Sequence, residues 1–284
     1  MSLALSTTER SELIARHQGA IDGSLKTKLI TIGVIAGMVA LFVYALTTFE
    51  LDFWRIINGF SSLGKFVVLM LPPDPGSLTR AIIFVKALFE TIAIAFLGTI
   101  LAAILAFPLG FLAAKNVVAN RIVHFLARRS LDTVRGVDAL IWALIWVNVV
   151  GLGPFAGMLA IMTSDLGAFG KLYSEAIESA DKKAVEGVTS SGGNKLHEIR
   201  FGLIPQVLPV IASQVLYFIE SNTRSSTIIG IVGAGGIGLH LAETIRTLEW
   251  QQASFVILLV LVAVSVIDLI SNRLRFAIIG KRAV

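Results

Sequence analysis

Cysteine is absent from the 284 residues, which excludes a disulfide framework, a thiolate nucleophile and a cysteine-based metal site. Charge is scarce, at 15% Asp, Glu, Lys and Arg against about 25% in soluble domains. With 55% hydrophobic residues and a mean hydropathy of +0.82, that deficit excludes a disordered chain and an ordinary water-soluble domain. Acidic residues are outnumbered, 19 against 24 Lys and Arg, for a net +5. No G-x-x-x-x-G-K-[ST] phosphate loop occurs, which excludes a nucleotide site of that type in this sequence. The four histidines, 17, 124, 197 and 240, lie on separate segments with no pair at ligand spacing, and no metal site is expected. No nucleophile and base form a catalytic constellation. The first 28 residues carry seven charges, too polar for a cleavable leader. They read as a retained cytoplasmic segment with an amphipathic helix near 7–17.

What is present is a set of long apolar runs. A membrane-crossing helix needs about 20 mostly apolar residues. Residues 29–47 are uncharged, as are 91–114, 139–164, 201–219 and 253–267. The 139–164 run is broken by Gly151-Leu-Gly-Pro154 and reads as a helical hairpin whose ends extend into 135–138 and 165–170. The uncharged run 225–242 holds glycines 230, 233, 235, 236 and 238. Such backbone is tolerated at membrane depth only beside protein or a watery cavity, so it reads as a short broken or re-entrant segment.

Basic residues set the orientation, because Lys and Arg concentrate in cytoplasmic loops. With the N-terminus inside, segments 1–28, 115–135, 171–200 and 273–284 are cytoplasmic and hold 18 of the 24 basic residues. The asymmetry accounts for the pI of 9.6 without a nucleic-acid partner. The expectation is an all-α, polytopic membrane protein of about six spans, multi-pass in the cell inner or plasma membrane, with both termini cytoplasmic. It divides into a cytoplasmic segment 1–28, a first span and extracytoplasmic loop 29–80, a core 81–276 and a tail 277–284.

Within the core, 175–187 has helical periodicity, with Ile177, Ala180, Ala184 and Val188 on one face. Ser190-Ser-Gly-Gly-Asn194 supplies a turn, and a short helix from Lys195 runs on towards Pro205. Two short helices about a glycine turn make a plug suited to a groove on a soluble partner. The run Ser221-Asn-Thr-Arg-Ser-Ser-Thr227 is polar at the end of a span. Two readings stay open for it: a path lining in which Arg224 offers its planar donors to an oxyanion, or an interfacial Glu220–Arg224 pair one turn apart. Lys86–Glu90 reads as another such pair, and Asp268, within five residues of Arg273, as an interfacial salt bridge or cap in preference to a proton-relay carboxylate. Against a secondary transporter or channel stand the docking-type cytoplasmic loop and the lack of a convincing mid-membrane carboxylate. Gly233-Ala-Gly-Gly-Ile-Gly238 satisfies G-x-G-x-x-G, but its transmembrane context and the lack of an acid about 20 residues on favour close backbone packing over dinucleotide binding.

Glu186-Gly-Val-Thr-Ser-Ser-Gly192 with Ile199 and Pro205-Gln-Val-Leu-Pro209 resembles the "EAA" coupling loop of ABC-importer permeases. Glu90-Thr-Ile, Gly98-Thr99, Pro108-Leu-Gly110 and Ala113-Ala-Lys-Asn116 resemble that family's first core helix. Gly151–Gly157, 170–176 and 232–238 are similar to the phosphonate/phosphite branch. The likeness runs from about 85 to 276. It departs at Gly187, where the motif has alanine, and at Asp138, where relatives often carry proline. The resemblance implies a permease subunit with a coupling loop over 175–205, in which Glu186, Gly187, Gly192, Ile199 and Pro205 meet the ATPase. Ser221, Asn222, Arg224, Ser225, Ser226 and Thr227 are the candidate path lining. It also implies a second permease copy, separate ATP-binding subunits carrying ATP and Mg, an extracytoplasmic substrate-binding protein and surrounding lipid. This chain itself would hold no cofactor.

Overall fold

The computed structural model describes residues 25–49, 53–118 and 120–279. The amphipathic helix expected at 7–17 and residues 280–284 lie outside them. All regular structure among the described residues is helical. They divide into two compact units, one ending at Phe66 and one beginning at Val67.

The first unit holds α1, Leu25–Thr48, and most of α2, Phe53–Leu69. α1 is apolar around its whole circumference and α2 is amphipathic. Its apolar positions Ile57, Phe60 and Leu63 recur at helical spacing opposite Asn58, Ser61 and Ser62. The exposed apolar side chains of α1 suit hydrocarbon surroundings.

The second unit begins with α3, Leu78–Ala113, capped by the Ser77 side chain on Arg80 N. α4, Arg121–Arg135, turns into α5, Ala139–Val150, through a bend of 87°. Asp138 caps α5 by accepting from Leu140 N at 2.8 Å. α6, Pro154–Glu178, follows the break at Gly151–Gly153, with proline in the first turn where its missing N–H costs nothing. α7, Lys182–Ser190, leads through a turn to Lys195–His197 and a π-helical segment, Glu198–Leu203. α8, Ile204–Ile231, α9, Ile237–Arg246, and α10, Trp250–Ile279, complete the unit.

α3 packs along α6, and α8 lies against both. Small residues permit the approach: a Cβ at Gly98 would lie 2.9 Å from Ile161 Cβ, and one at Gly110 would lie 2.7 Å from Tyr173 Cβ. Bilayer lipid supplies no hydrophobic drive between helices, so close van der Waals contact takes its place. Phe169, Tyr173 and Ile177 of α6 are fully buried here with Val207 and Ile211 of α8.

Among the described residues four helical stretches are long and apolar enough to cross a membrane: Lys26–Thr48, Leu78–Ala113, Lys195–Ile231 and Trp250–Ala277. The bent pair α4–α5 makes a fifth. The expected count was about six, and the difference lies at α6. The hairpin expected over 139–164 is present as α5 and α6, but α6 runs on to Glu178. Thr163, Ser164 and Asp165 lower its hydropathy; Thr163 accepts from Trp146 Nε1 at 3.0 Å and Asp165 is buried within the bundle. The expected helix over 175–187 is likewise two helices, parted at 179–181. Ile177 lies in the last turn of α6, while Asp181 caps α7 on Lys183 N at 2.9 Å. The inward residues of α7 are Val185 and Val188; Ala184 is exposed.

Candidate functional site

The loop from α7 to α8 is a rigid projection, and each of its joints has an identifiable cause. The Gln206 side chain, on the first turn of α8, accepts from Asp181 N at 2.9 Å and donates to Asp181 O at 3.2 Å. It also donates to Gly202 O at 2.6 Å. One amide therefore ties the start of α7 to the π segment. The turn after α7 places Gly192 at φ +84°, the left-handed region that glycine enters without penalty. Gly192 N donates to Thr189 O and Gly193 N to Val188 O, both at 3.0 Å. Asn194 then accepts from His197 N at 3.1 Å, while His197 Nδ1 accepts from Asn194 N at 3.3 Å, closing a capping box. Thr189 Oγ1 donates to Glu198 Oε1 at 3.0 Å across the turn.

These joints fix which residues face outward. Glu186, Gly187, Gly192 and Pro205 are exposed, and Ile199 is half-buried against the α3–α6–α8 core. Beneath the loop lies a cavity of about 370 Å³ lined by Val117, Ala180, Val185, Ile199 and Leu203, with Lys182, Glu186, Lys195 and Glu198 at its rim. Glu178, ending α6, accepts from Lys115 N at 3.0 Å and pairs with Arg128 at 3.1 Å. The end of α6, from which the projection leads, is thus tied to α4 and to the segment after α3.

At the other end of α8 the polar run is divided between two faces. Asn222, Ser226 and Thr227 are buried within the single chain, Ser221 and Ser225 are half-buried, and Arg224 is exposed. Glu220 does not pair with Arg224. Its Oε2 accepts from Arg275 Nη2 of α10 at 2.7 Å, and Arg224 has no partner among the described residues. Asn222 Nδ2 donates to Thr99 Oγ1 at 2.7 Å and to the Asp165 carboxylate. Asp165 is a buried carboxylate inside the helix bundle, where sequence reasoning found no convincing candidate.

The glycine segment is a tight turn between α8 and α9, so the run expected at 225–242 is broken after Ile231. Glu90 Oε1 accepts from Gly236 N at 2.9 Å and Thr91 Oγ1 from Ile237 N at 2.8 Å. α3 thereby caps the first turn of α9 across the bundle. Gly235, at φ +81°, lies where a Cβ would stand 2.6 Å from Pro154 N. Glu90 is engaged here rather than in a pair with Lys86, and Asp268 accepts from Asn272 at 3.0 Å rather than pairing with Arg273. The stronger partners lie on other helices or on the same face one turn away, out of reach of a reading based on charge sign alone.

Residues 106–282 match the family described as binding-protein-dependent transport system inner membrane component. The chain belongs to that family. It is 41% identical over 233 residues to a protein named putative phosphite transport system permease protein HtxC, from Stutzerimonas stutzeri, covering 82% of each. It is 48% identical over 118 residues to the putative cryptic phosphonate transport system permease protein PhnE2 of Escherichia coli strain K12, covering 42% of this chain and 97% of that one. Among solved structures it resembles a chain of the inward-facing MetNI methionine ABC transporter, with a TM-score of 0.63, 18% identity, and coverage of 71% of this chain and 99% of that one. The permease fold, the membrane setting and the role of transport component follow from family membership.

Proposed function

We propose that this permease forms, with a second copy of itself, the translocation path of an ATP-driven importer for phosphonate-type oxyanions, phosphite included. The observation that carries the reading is the exposed α7–turn–π projection, braced by Gln206 of α8 and leading from the end of α6, which Lys115 N and Arg128 hold in place. A rigid lever of this form passes a push at its tip into α8 and α6. Glu186, Gly187, Gly192, Ile199 and Pro205 are its contacts with a separate ATPase, which carries ATP and Mg. Both termini and this projection face the cytoplasm, in accord with the distribution of Lys and Arg. An extracytoplasmic binding protein delivers the anion to the opposite face.

The anion class rests on the names of the relatives together with Arg224, exposed and unpaired among the described residues. A second copy would present its own Arg224, giving the path a cationic rim. Ser221 and Ser225 share the solvent-facing side of α8 with it, while Asn222, Ser226 and Thr227 support that helix from within.

The test is uptake of labelled phosphite and of 2-aminoethylphosphonate by cells carrying the whole system, with ATPase activity measured in parallel on the purified complex. Gly192→Val and Glu186→Ala should leave the chain in the membrane and ATP hydrolysis running while uptake falls. Normal uptake in both variants would sink the coupling assignment. Uptake by this chain alone in ATP-free vesicles would favour a secondary transporter, the class for which Asp165 speaks.

A further inference from the structure

Asp165, on α6, is 6% exposed; among the described residues it is the one buried carboxylate, and no Lys or Arg is buried beside it. Its carboxylate accepts from Asn222 of α8, 8% exposed, and the same amide nitrogen donates to Thr99 of α3. Three helices therefore meet on one amide. The hydroxyls of Thr223, Ser225, Ser226 and Thr227 bond only to their own helix. Ser226 donates to Asn222 O, Thr223 to Ile219 O, Thr227 to Thr223 O and Ser225 to Ser221 O. Bonds of that kind travel with the helix and leave its rotation free. Asn222 reaches across to neighbouring helices.

A residue two positions on lies about 200° further around a helix. Seating Asn222 inward therefore turns Arg224 outward, where it is exposed. Any other rotation would leave an amide and a carboxylate buried without partners, and buried polar pairs of this type serve best to fix register. We propose that Thr99, Asn222 and Asp165 are the rotational lock of α8, with Asp165 and Asn222 as positioning residues that aim Arg224. That Arg224 is aimed at a translocation path rests on the function proposed above; the lock does not. The rival account is apolar packing alone, through Ile211, Ile229 and the approach of Gly230 to Gly238.

Because the chain has no cysteine, single cysteines report without background. Full-length protein in membrane vesicles, carrying Arg224→Cys or Ser226→Cys, is reacted with a charged water-soluble maleimide. Position 224 should label at least tenfold faster than 226. Asn222→Ala or Asp165→Ala should lower that ratio severalfold, whereas Asp165→Asn, which keeps a carbonyl acceptor for Asn222, should preserve it. Ala253→Cys, a buried position on α10, checks that the bundle is intact. Should the alanine variants lose protection there, the volume-matched Asn222→Leu carries the test. An unchanged ratio in an intact bundle overturns the lock in favour of apolar packing. Uptake is then measured with Arg224 in place. A collapsed ratio with normal uptake leaves the lock standing and removes Arg224 from the path.

Discussion

Two glycines of the α7 projection should respond to alanine with opposite signs. Gly192 sits at φ +84°, and an L-residue in the left-handed region costs roughly 1–2 kcal/mol. A Cβ there meets nothing within 4 Å, so no steric penalty adds to the backbone cost. Gly187 lies inside α7 with ordinary helical φ, and a Cβ there also meets open space. Alanine at 187 should stabilise α7 by roughly 0.5–1 kcal/mol, the helix-interior difference between the two residues. Since 1.4 kcal/mol is a factor of ten, amide exchange around Thr189–Gly193 should quicken about 5- to 30-fold in Gly192→Ala. It should slow by roughly 2- to 5-fold in Gly187→Ala. Hydrogen exchange by mass spectrometry, on the full-length permease in lipid nanodiscs without the ATPase, reads both. The global melting temperature should barely move, because the turn is exposed and few tertiary contacts depend on it. Equal exchange in the two variants would show that the turn is held by its neighbours rather than by its own backbone geometry.

Gln206→Ala removes three bonds at the base of the projection. The α7 amides should exchange faster and uptake should drop, with the protein still inserted in the membrane. Arg275→Ala strips the partner from Glu220, whose carboxylate is only 15% exposed, and should destabilise the chain by roughly 1–3 kcal/mol. Thermal unfolding in detergent measures this, and adding Glu220→Ala should recover part of the loss. Glu90→Ala leaves Gly236 N without its acceptor and should loosen the first turn of α9, seen as faster exchange at 236–238. Arg224→Gln should reduce oxyanion uptake severalfold, and Arg224→Lys should restore it only in part, since a lysine lacks the planar fork that grips two oxygens.

The sequence by itself determined the long apolar helices, though not their count, the glycine breaks within 139–164 and 225–242, and the turn at Gly192. Each of these is written in contiguous residues: apolar length, loss of Cβ, or a capping side chain beside the backbone it serves. It also carried the family resemblance, because motif spacing is local. What only the tertiary structure decided is where the polar side chains of the interior go. Glu90 serves Gly236, 146 residues on, Asn222 serves Asp165, 57 residues back, and Glu220 serves Arg275, 55 residues on. A local pairing of Glu220 with Arg224 is one of the two readings the sequence leaves open, since residues one helical turn apart are neighbours. In a packed bundle, however, a half-buried carboxylate gains more from a donor that also shields it from lipid than from an exposed neighbour on its own helix. Which donor that is depends on how the helices cross, and the crossing is fixed by the close packing of small residues such as Gly98 and Gly110, distributed along the whole length of α3.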